Sequence, residues 1–326
     1  MKRTLKLLPY ILLICTLLFS LVSCELPIPP LGGGDPFDPV ITIPGEGGED
    51  GVPDVPVAKA GEISIHFIDV DQADAALILD GDKVMLIDAG NYPNDEHKAY
   101  MLKYLKERGV ETIDYLVLTH AHGDHIGGAP EVINTFDVKN CIISKQPHTS
   151  KTYEKTLDAL EDNEVNVIPA EAGDTYTLGS ATFEILGALR EEYEDLNDSS
   201  VVLRLDFGKR SVLFTGDAET VSEEEMVEKY KNTDKLDADV LKVGHHCSGS
   251  STSQAFLSLV SPSVALISCG VNNSYGHPHR TVLDRLGGAR AEILRTDLHG
   301  TVVMITDGEE MAFTCLTKAH KTSAKD

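Results

Sequence analysis

Apolar residues along this chain fall into short blocks that switch repeatedly between strand-like and helix-like spacing. Glu62-Ile63-Ser64-Ile65-His66-Phe67-Ile68-Asp69 alternates with period two, the mark of a strand. Ala75 to Leu79 and Val84 to Ile87 are apolar runs around Gly81-Asp82, which predicts a hairpin. Residues 94–108 read as a helix, with Tyr100, Leu102, Tyr104 and Leu105 facing inward and Gly109 as its stop. Tyr115-Leu116-Val117-Leu118-Thr119 is a buried strand that runs straight into a histidine cluster. Further strands are expected near 140–144, 165–169, 175–178, 181–186, 201–207 and 210–215, joined by short helices or turns. A charged helix at about 219–231 leads to a strand at 239–243. A helix near 253–260, a strand at 263–268, a helix at 280–287 and strands at 291–296, 301–306 and 310–315 complete the pattern. Two β-rich halves flanked by helices predict a mixed α+β (α/β) domain built as a four-layer αββα sandwich over residues 61–318, with a tail at 319–326.

The first sixty residues do not share this pattern. Lys2, Arg3 and Lys6 precede a mostly apolar stretch from Leu7 to Val22 that ends in Leu21-Val22-Ser23-Cys24. Residues 1–23 therefore read as a secretory signal. The ending resembles a bacterial lipobox, which implies lipidation of Cys24; a plain secretory signal or signal anchor is the competing reading. Several acyl chains on one cysteine anchor a protein stably, as a single chain does not. Residues 24–60 are rich in Pro, Gly and acid and show no hydrophobic period, so they are expected to form an extended tether. The expected location is outside the cell membrane, held there by lipid.

The formal net charge of −24 sits mainly on the domain. An acidic surface disfavours tight, non-specific binding to long DNA or RNA duplexes, which needs a basic track. Beyond Cys15 and Cys24, the four remaining cysteines are scattered without CxxC spacing, so no disulfide framework is demanded.

The chemistry begins at His120-Ala121-His122-Gly123-Asp124-His125. Imidazole and carboxylate suit Zn²⁺, and also Mn²⁺ or Fe²⁺. Four such groups in six residues after a strand can serve two metals, with His120 and His122 on one side and Asp124 and His125 on the other. A two-metal site needs further ligands at other strand ends. Asp217, in Thr215-Gly216-Asp217, can bridge two cations about 3.5–4 Å apart; capping of the following helix is its alternative role. Of His245 and His246, also after a strand, the first is favoured as ligand and the second as the residue facing substrate. Asp88, in Ile87-Asp88-Ala89-Gly90, is expected to orient a ligand histidine.

The series Phe67 to Ala75, Ile87 to Gly90, His120 to Gly128, Asn197 to Leu203, Thr215-Gly216-Asp217, Lys242 to Ser248, Tyr275-Gly276-His277-Pro278 and Arg295-Thr296-Asp297 resembles the metallo-β-lactamase superfamily. Within it, the series is similar to the hydrolase domain of ComEC-type competence (DNA-uptake) proteins. The resemblance implies a metallo-β-lactamase sandwich holding two divalent metals, Zn²⁺ first and Mn²⁺ second. It implies hydrolysis of phosphodiester bonds through a hydroxide shared by the metals, with nuclease and small phosphodiesterase both open. Asp124 would orient the nucleophile, and His246 or His277 would donate a proton to the leaving oxygen. Ser248, Ser251, Asn273 and Arg295 are candidate substrate contacts. The chain departs from the family where Asp71, Ala73 and Cys247 replace the usual Gly; Cys247 is either a soft extra ligand or a small packed residue. The third histidine of many members is missing between Asp124-His125 and Asp217, where His148 matches no ligand motif, and Asp198 is an oxygen-ligand candidate in its place. The acidic surface shifts the expected substrate toward something short or single-stranded. Competing readings are hydrolysis of a lactone, thioester or β-lactam, and a non-catalytic metal-binding envelope protein.

Overall fold

A computed structural model of the chain describes residues 40–42, 55–91 and 95–316, with backbone alone for 95–98. The leader, Cys24, most of the tether and the tail lie outside the described residues.

In chain order, the strands are β1 Val40–Thr42, β2 Ile63–Phe67, β3 Ala76–Asp80, β4 Lys83–Ile87, β5 Thr112–Leu118, β6 Asp137–Ile143, β7 Asn166–Pro169, β8 Thr175–Leu178, β9 Ala181–Ile185, β10 Leu203–Phe207, β11 Arg210–Phe214, β12 Val240–Lys242, β13 Val264–Ile267, β14 Glu292–Arg295, β15 Thr301–Thr306 and β16 Met311–Leu316. The helices are α1 Asp95–Glu107, α2 Gly123–Ile126, α3 Ala129–Thr135, α4 Lys151–Asp162, α5 Thr220–Tyr230, α6 Gln254–Val260, α7 Arg280–Gly288 and α8 Thr296–His299. One sheet has nine strands in the order β1-β16-β15-β2-β3-β4-β5-β6-β7, and the other has seven in the order β14-β13-β12-β11-β10-β9-β8.

Period-two alternation sorts the strand residues into layers. Ile63, Ile65 and Phe67 of β2 and Val117 of β5 face Phe183, Leu203, Val212 and Phe214 of the other sheet, forming the central core. The intervening Leu116 and Leu118 turn outward, onto Met101 and Leu105 of α1 and Val132 and Ile133 of α3. On the opposite side, Leu213 and Leu241 pack under Met226 of α5, Phe256 and Leu257 of α6, and Val282 and Leu286 of α7. The result is the four-layer αββα sandwich expected from the sequence.

Two stretches depart from expectation. Residues 24–60 were expected to carry no fixed structure, yet Val40, Ile41 and Thr42 pair in parallel with Ala312, Phe313 and Thr314 of β16. Three β-branched residues in a row suit an edge strand, and they cover an edge that β16 would otherwise expose. The segment at 291–296 ends as a strand one residue early, because Thr296 begins α8.

Parallel pairing positions the site. β4, β5 and β6 run parallel in one sheet, and β11, β12, β13 and β14 run parallel in the other. Asp88 follows β4, the His120–His125 cluster follows β5, Asp217 follows β11, and His245-His246 follows β12. The loops beyond the carboxyl ends of neighbouring parallel strands meet in one crevice, the usual place for a ligand in such sheets.

Candidate metal centre

The β5 strand runs into Thr119, which enters a sharp turn held from below. The buried carboxylate of Asp88 accepts from the Thr119 backbone N–H at 2.8 Å and from its hydroxyl at 2.7 Å. The same carboxylate lies 2.7 Å from Nδ1 of His125. Gly127 is obligatory for this turn: a Cβ there would stand 2.3 Å from the Gly123 carbonyl.

Nδ1 of each of four histidines is occupied by an outer partner. His125 uses Asp88. Nδ1 of His120 lies 3.3 Å from the Ser200 hydroxyl and 3.2 Å from that of Thr119. Nδ1 of His245 pairs with Glu219 at 2.7 Å. Nδ1 of His246 donates to the Ser268 carbonyl at 3.0 Å. Every Nε2 is thereby turned inward, and all four face one atom, Oδ2 of Asp217, at 3.9 Å from His120, 3.2 Å from His125, 3.8 Å from His245 and 3.7 Å from His246.

Two donor sets share this carboxylate. In the first, Asp124, His125, Asp217 and His246 bring ligand atoms within 4.8 Å of one another, with His246 Nε2 3.4 Å from Asp124 Oδ2. A tetrahedron of metal bonds of about 2.1 Å has edges of about 3.4 Å, so these separations fit one cation. On the other side of the same Asp217 oxygen stand His120 and His245, and His122 Nδ1 lies 3.0 Å from His120 Nε2. Nε2 of His125, Oδ1 of Asp217 and Nε2 of His246 are buried without a hydrogen-bond partner. Buried polar atoms without partners are costly, and a bound cation satisfies them.

Charge in the cluster follows the same logic. Burial raises the Asp217 carboxyl, but His125 and His246 outweigh it and hold it well below the usual range. Burial likewise works against the charge on His246, but Asp217 and Asp74 lift it to about 10. In His125, Asp217 and Asp88 outweigh burial in the same direction, whereas burial and the neighbouring His125 push His120 well below the usual histidine value. A cation entering here displaces protons from imidazoles already oriented toward it.

The sequence profile of the Metallo-beta-lactamase superfamily matches residues 68–271. The chain belongs to the metallo-beta-lactamase superfamily. Among curated relatives, it is 36% identical over 202 residues to "ComE operon protein 3" of Bacillus subtilis (strain 168), covering 62% of this chain and 26% of that protein. It is 31% identical over 241 residues to "Competence protein ComA" of Neisseria gonorrhoeae, covering 74% of this chain and 32% of that one. The chain thus spans about a quarter to a third of the relatives' length. Among solved structures, CmlA, a diiron beta-hydroxylase from Streptomyces venezuelae, superimposes with a TM-score of 0.51 at 16% identity, over 73% of this chain and 53% of that one. That likeness concerns the fold.

Within this metallo-beta-lactamase scaffold, both neighbouring histidines turn Nε2 toward Asp217, where the sequence favoured only the first as a ligand. His246, expected to face substrate and donate a proton, is 1% exposed and sits inside the Asp124-His125-Asp217 set. His245 is the more open of the two, with Nε2 still on Asp217. The physical reason is backbone conformation. His245, His246 and Cys247 are left-handed, at φ of 47°, 51° and 69°, so adjacent imidazoles enter the cluster from different sides. Cys247 and Asp71 (φ 65°) both occupy this glycine-favouring region, consistent with the Gly expected there from the resemblance. Cys247 is fully buried, and burial pushes its thiol up to about 12, so it is a packed residue. All four described cysteines are free.

Several candidate contacts are engaged within the protein itself. Asp198 is not among the clustered donors: its Oδ1 accepts from the N–H groups of Glu219 at 3.2 Å and Ser222 at 2.9 Å, capping α5 from outside. Ser251 is buried and donates to the Gly244 carbonyl at 2.7 Å. Ser248 bonds to the Ser250 hydroxyl at 2.9 Å. Asn273 ties the 270–277 loop together, and Arg295 pairs with Asp297 at 2.5 Å. None of these five lines the cleft over the cluster, a cavity of about 280 Å³ bordered by Asp124, Asp217, His122, His245 and His277.

The same wall holds Gln72, Asn197 and Tyr275, none of which sequence reasoning selected. Also missed were Asp74, Lys242 and Glu219. Lys242 Nζ lies 2.7 Å from Asp74 Oδ2 in a buried ion pair, and the other Asp74 oxygen is 3.4 Å from His246 Nδ1. A lysine ending the apolar run Val240-Leu241 was the available signal, since a buried lysine requires a carboxylate partner. His148 lies beside His122, with ring centroids 6.4 Å apart.

Proposed function

We propose that this protein is a two-metal phosphodiester hydrolase, acting on short or single-stranded nucleic acid or nucleotides, and displayed outside the cell membrane on a lipidated Cys24. The observation that carries the reading is the convergence of four Nε2 atoms on Asp217 Oδ2, from His125 and His246 beside Asp124 and from His120 and His245, with His122 next to His120. Zn²⁺ and Mn²⁺ both suit such N/O ligands. Bound there, a pair of divalent cations supplies Lewis acidity and brings the pKa of water toward neutrality. His245 takes the place of the third histidine that is missing from the 126–216 region.

The remaining residues orient and exclude. Asp88 and Glu219 fix the imidazoles of His125 and His245. The Asp124 carboxylate, held down to about 2 by His246 and His125 against the effect of burial, stays ionised to orient a nucleophile. His277 faces the cleft in neutral form, because burial and the nearby His246 and His245 lower it to about 4. The Gly270 N–H donates to Gln72 Oε1, which directs the Gln72 amide N–H to Nδ1 of His277 at 3.2 Å. That assigns the His277 proton to Nε2, free to donate to an oxygen of the substrate. The names of the competence-protein relatives support nucleic acid as the substrate class.

The test is to load the purified protein with Zn²⁺ or Mn²⁺ and assay phosphodiesters, short oligonucleotides and a β-lactam. Turnover of phosphodiesters is expected, with Asp217→Asn losing both bound metals and activity. Full loading with no phosphodiester turnover would refute the proposal. Labelling with a tagged fatty acid, abolished in Cys24→Ala, is the expected result for the anchor.

A further inference from the structure

The cleft has one feature that metal binding does not explain. Tyr275 is 66% exposed, yet it lines the cavity that contains Asp124 and Asp217. Its ring stacks on His277 with centroids 5.6 Å apart and an interplanar angle of 24°. His277 in turn stacks on His246 at 6.2 Å and 24°. The three near-parallel rings form a staircase from the cleft mouth to the metal cluster. The loop that carries Tyr275 and His277 is fixed: the Asn273 amide donates to the Gly270 and His277 carbonyls at 2.9 and 2.6 Å, and its oxygen accepts from the Tyr275 and His277 N–H groups at 3.2 and 3.0 Å. His279 Nε2 donates to the Tyr275 carbonyl at 3.3 Å. Among the described residues, no lysine or arginine lines this cleft.

We infer that Tyr275 is a stacking platform for a nucleobase of the substrate, so that the site selects nucleotide units over bare phosphodiesters; the inference rests on the phosphodiester reading above. An exposed aromatic ring held rigidly loses little conformational entropy when a planar partner stacks on it. Without cationic side chains in the cleft, phosphates away from the scissile group find no partner, and the acidic chain repels them. Affinity beyond the metals therefore comes from the face of the base, which is uncharged and common to every nucleotide. Loss of one base–aromatic stack weakens binding about 5- to 150-fold.

The metal-loaded protein should be assayed on an eight-unit oligothymidylate and on an abasic oligomer with the same number of phosphates. The expected KM for the thymidylate is at least about fivefold lower. That ratio should collapse toward unity in Tyr275→Ala and persist in Tyr275→Phe. A ratio near unity in the unaltered protein, or one that survives Tyr275→Ala, overturns the platform. The chain contains no Trp, so Tyr275→Trp places a sole indole reporter at the mouth. Quenching by a phosphorothioate oligothymidylate, and not by the abasic oligomer, is the expected result; equal quenching, or none, overturns the platform. If neither oligomer is cut, the phosphodiester reading fails, and the fluorescence titration still decides the stacking.

Discussion

At the scale of single residues, Asp88 shows how one buried carboxylate can fix the imidazole of a candidate metal ligand. It takes two bonds from Thr119 and one from His125, and is 1% exposed. Its backbone lies at φ 56°, a conformation that Asn tolerates better than most residues. Asp88→Asn should therefore preserve the turn while losing the charge that orients the His125 ring. Metal affinity, read by competition with a chromogenic chelator, is expected to fall about 10–100-fold, with unchanged far-UV circular dichroism; unaltered affinity would remove Asp88 from the site. Ligand-type residues were legible in the sequence because few side chains bind such cations, and His120-x-His122-x-Asp124-His125 gathers four of them. The entry of both His245 and His246 into the cluster was not legible, because it depends on three successive left-handed residues. Asp198, Ser251 and Asn273 misled for a related reason: the polar groups that suit substrate contacts also suit helix caps and loop carbonyls.

At the scale of elements, the placement of α5 against α6 governs the loop behind His245. Glu223, in the first turn of α5, is 2% exposed and accepts from the backbone N–H groups of Thr252 and, at 2.7 Å, Ser253, where α6 begins. Ser250, in the same loop, bonds at 2.9 Å to Glu219, the partner of His245. Burial raises the Glu223 carboxyl to about 7 against the pull of those N–H groups. Since the folded-state value lies above the unfolded one, the folded chain takes up a proton. The contribution to stability is complete below the unfolded value of about 4.5 and is lost as pH rises through about 7. Over that window it amounts to about 3 kcal/mol. The stability difference between the protein and Glu223→Gln, from urea unfolding at pH steps between 4.5 and 8, should change by about that amount, and a flat difference would contradict the assignment. The sequence marked α5 as a charged helix and its period gave the correct bounds within a residue, but nothing local distinguishes Glu223 from its neighbours Glu224 and Glu225. Its burial arises from a partner helix some thirty positions away. The β1 strand was hidden for the same reason: the three residues Val40-Ile41-Thr42 carry no period of their own, and only the edge of β16 makes them a strand.

At the scale of the whole molecule, the net charge of −24 would oppose the proposed polyanionic substrate, and no lysine or arginine lines the described cleft. Proteins that bind strands along a basic track release many counterions. With six to ten phosphate contacts, binding to single strands falls with salt at a log–log slope of about −4 to −7. On the proposed reading one or two phosphates would meet the metals, which corresponds to a slope of about −0.7 to −1.4. Long-range repulsion between the acidic surface and the strand works the other way, because added salt screens it over a Debye length of about 10 Å at 0.1 M and so aids approach. The two effects partly cancel. Between 50 and 200 mM salt at fixed free metal, KM for a short single strand should rise by less than about tenfold, whereas a basic track would give a change of about a hundredfold or more. A steep rise would mean that cationic residues outside the described cleft hold the strand, and the acidic, stacking-based mode of recognition would have to be abandoned. A shallow or inverted slope, together with poor competition by long duplex DNA, is the outcome required if metals and an aromatic face supply the affinity.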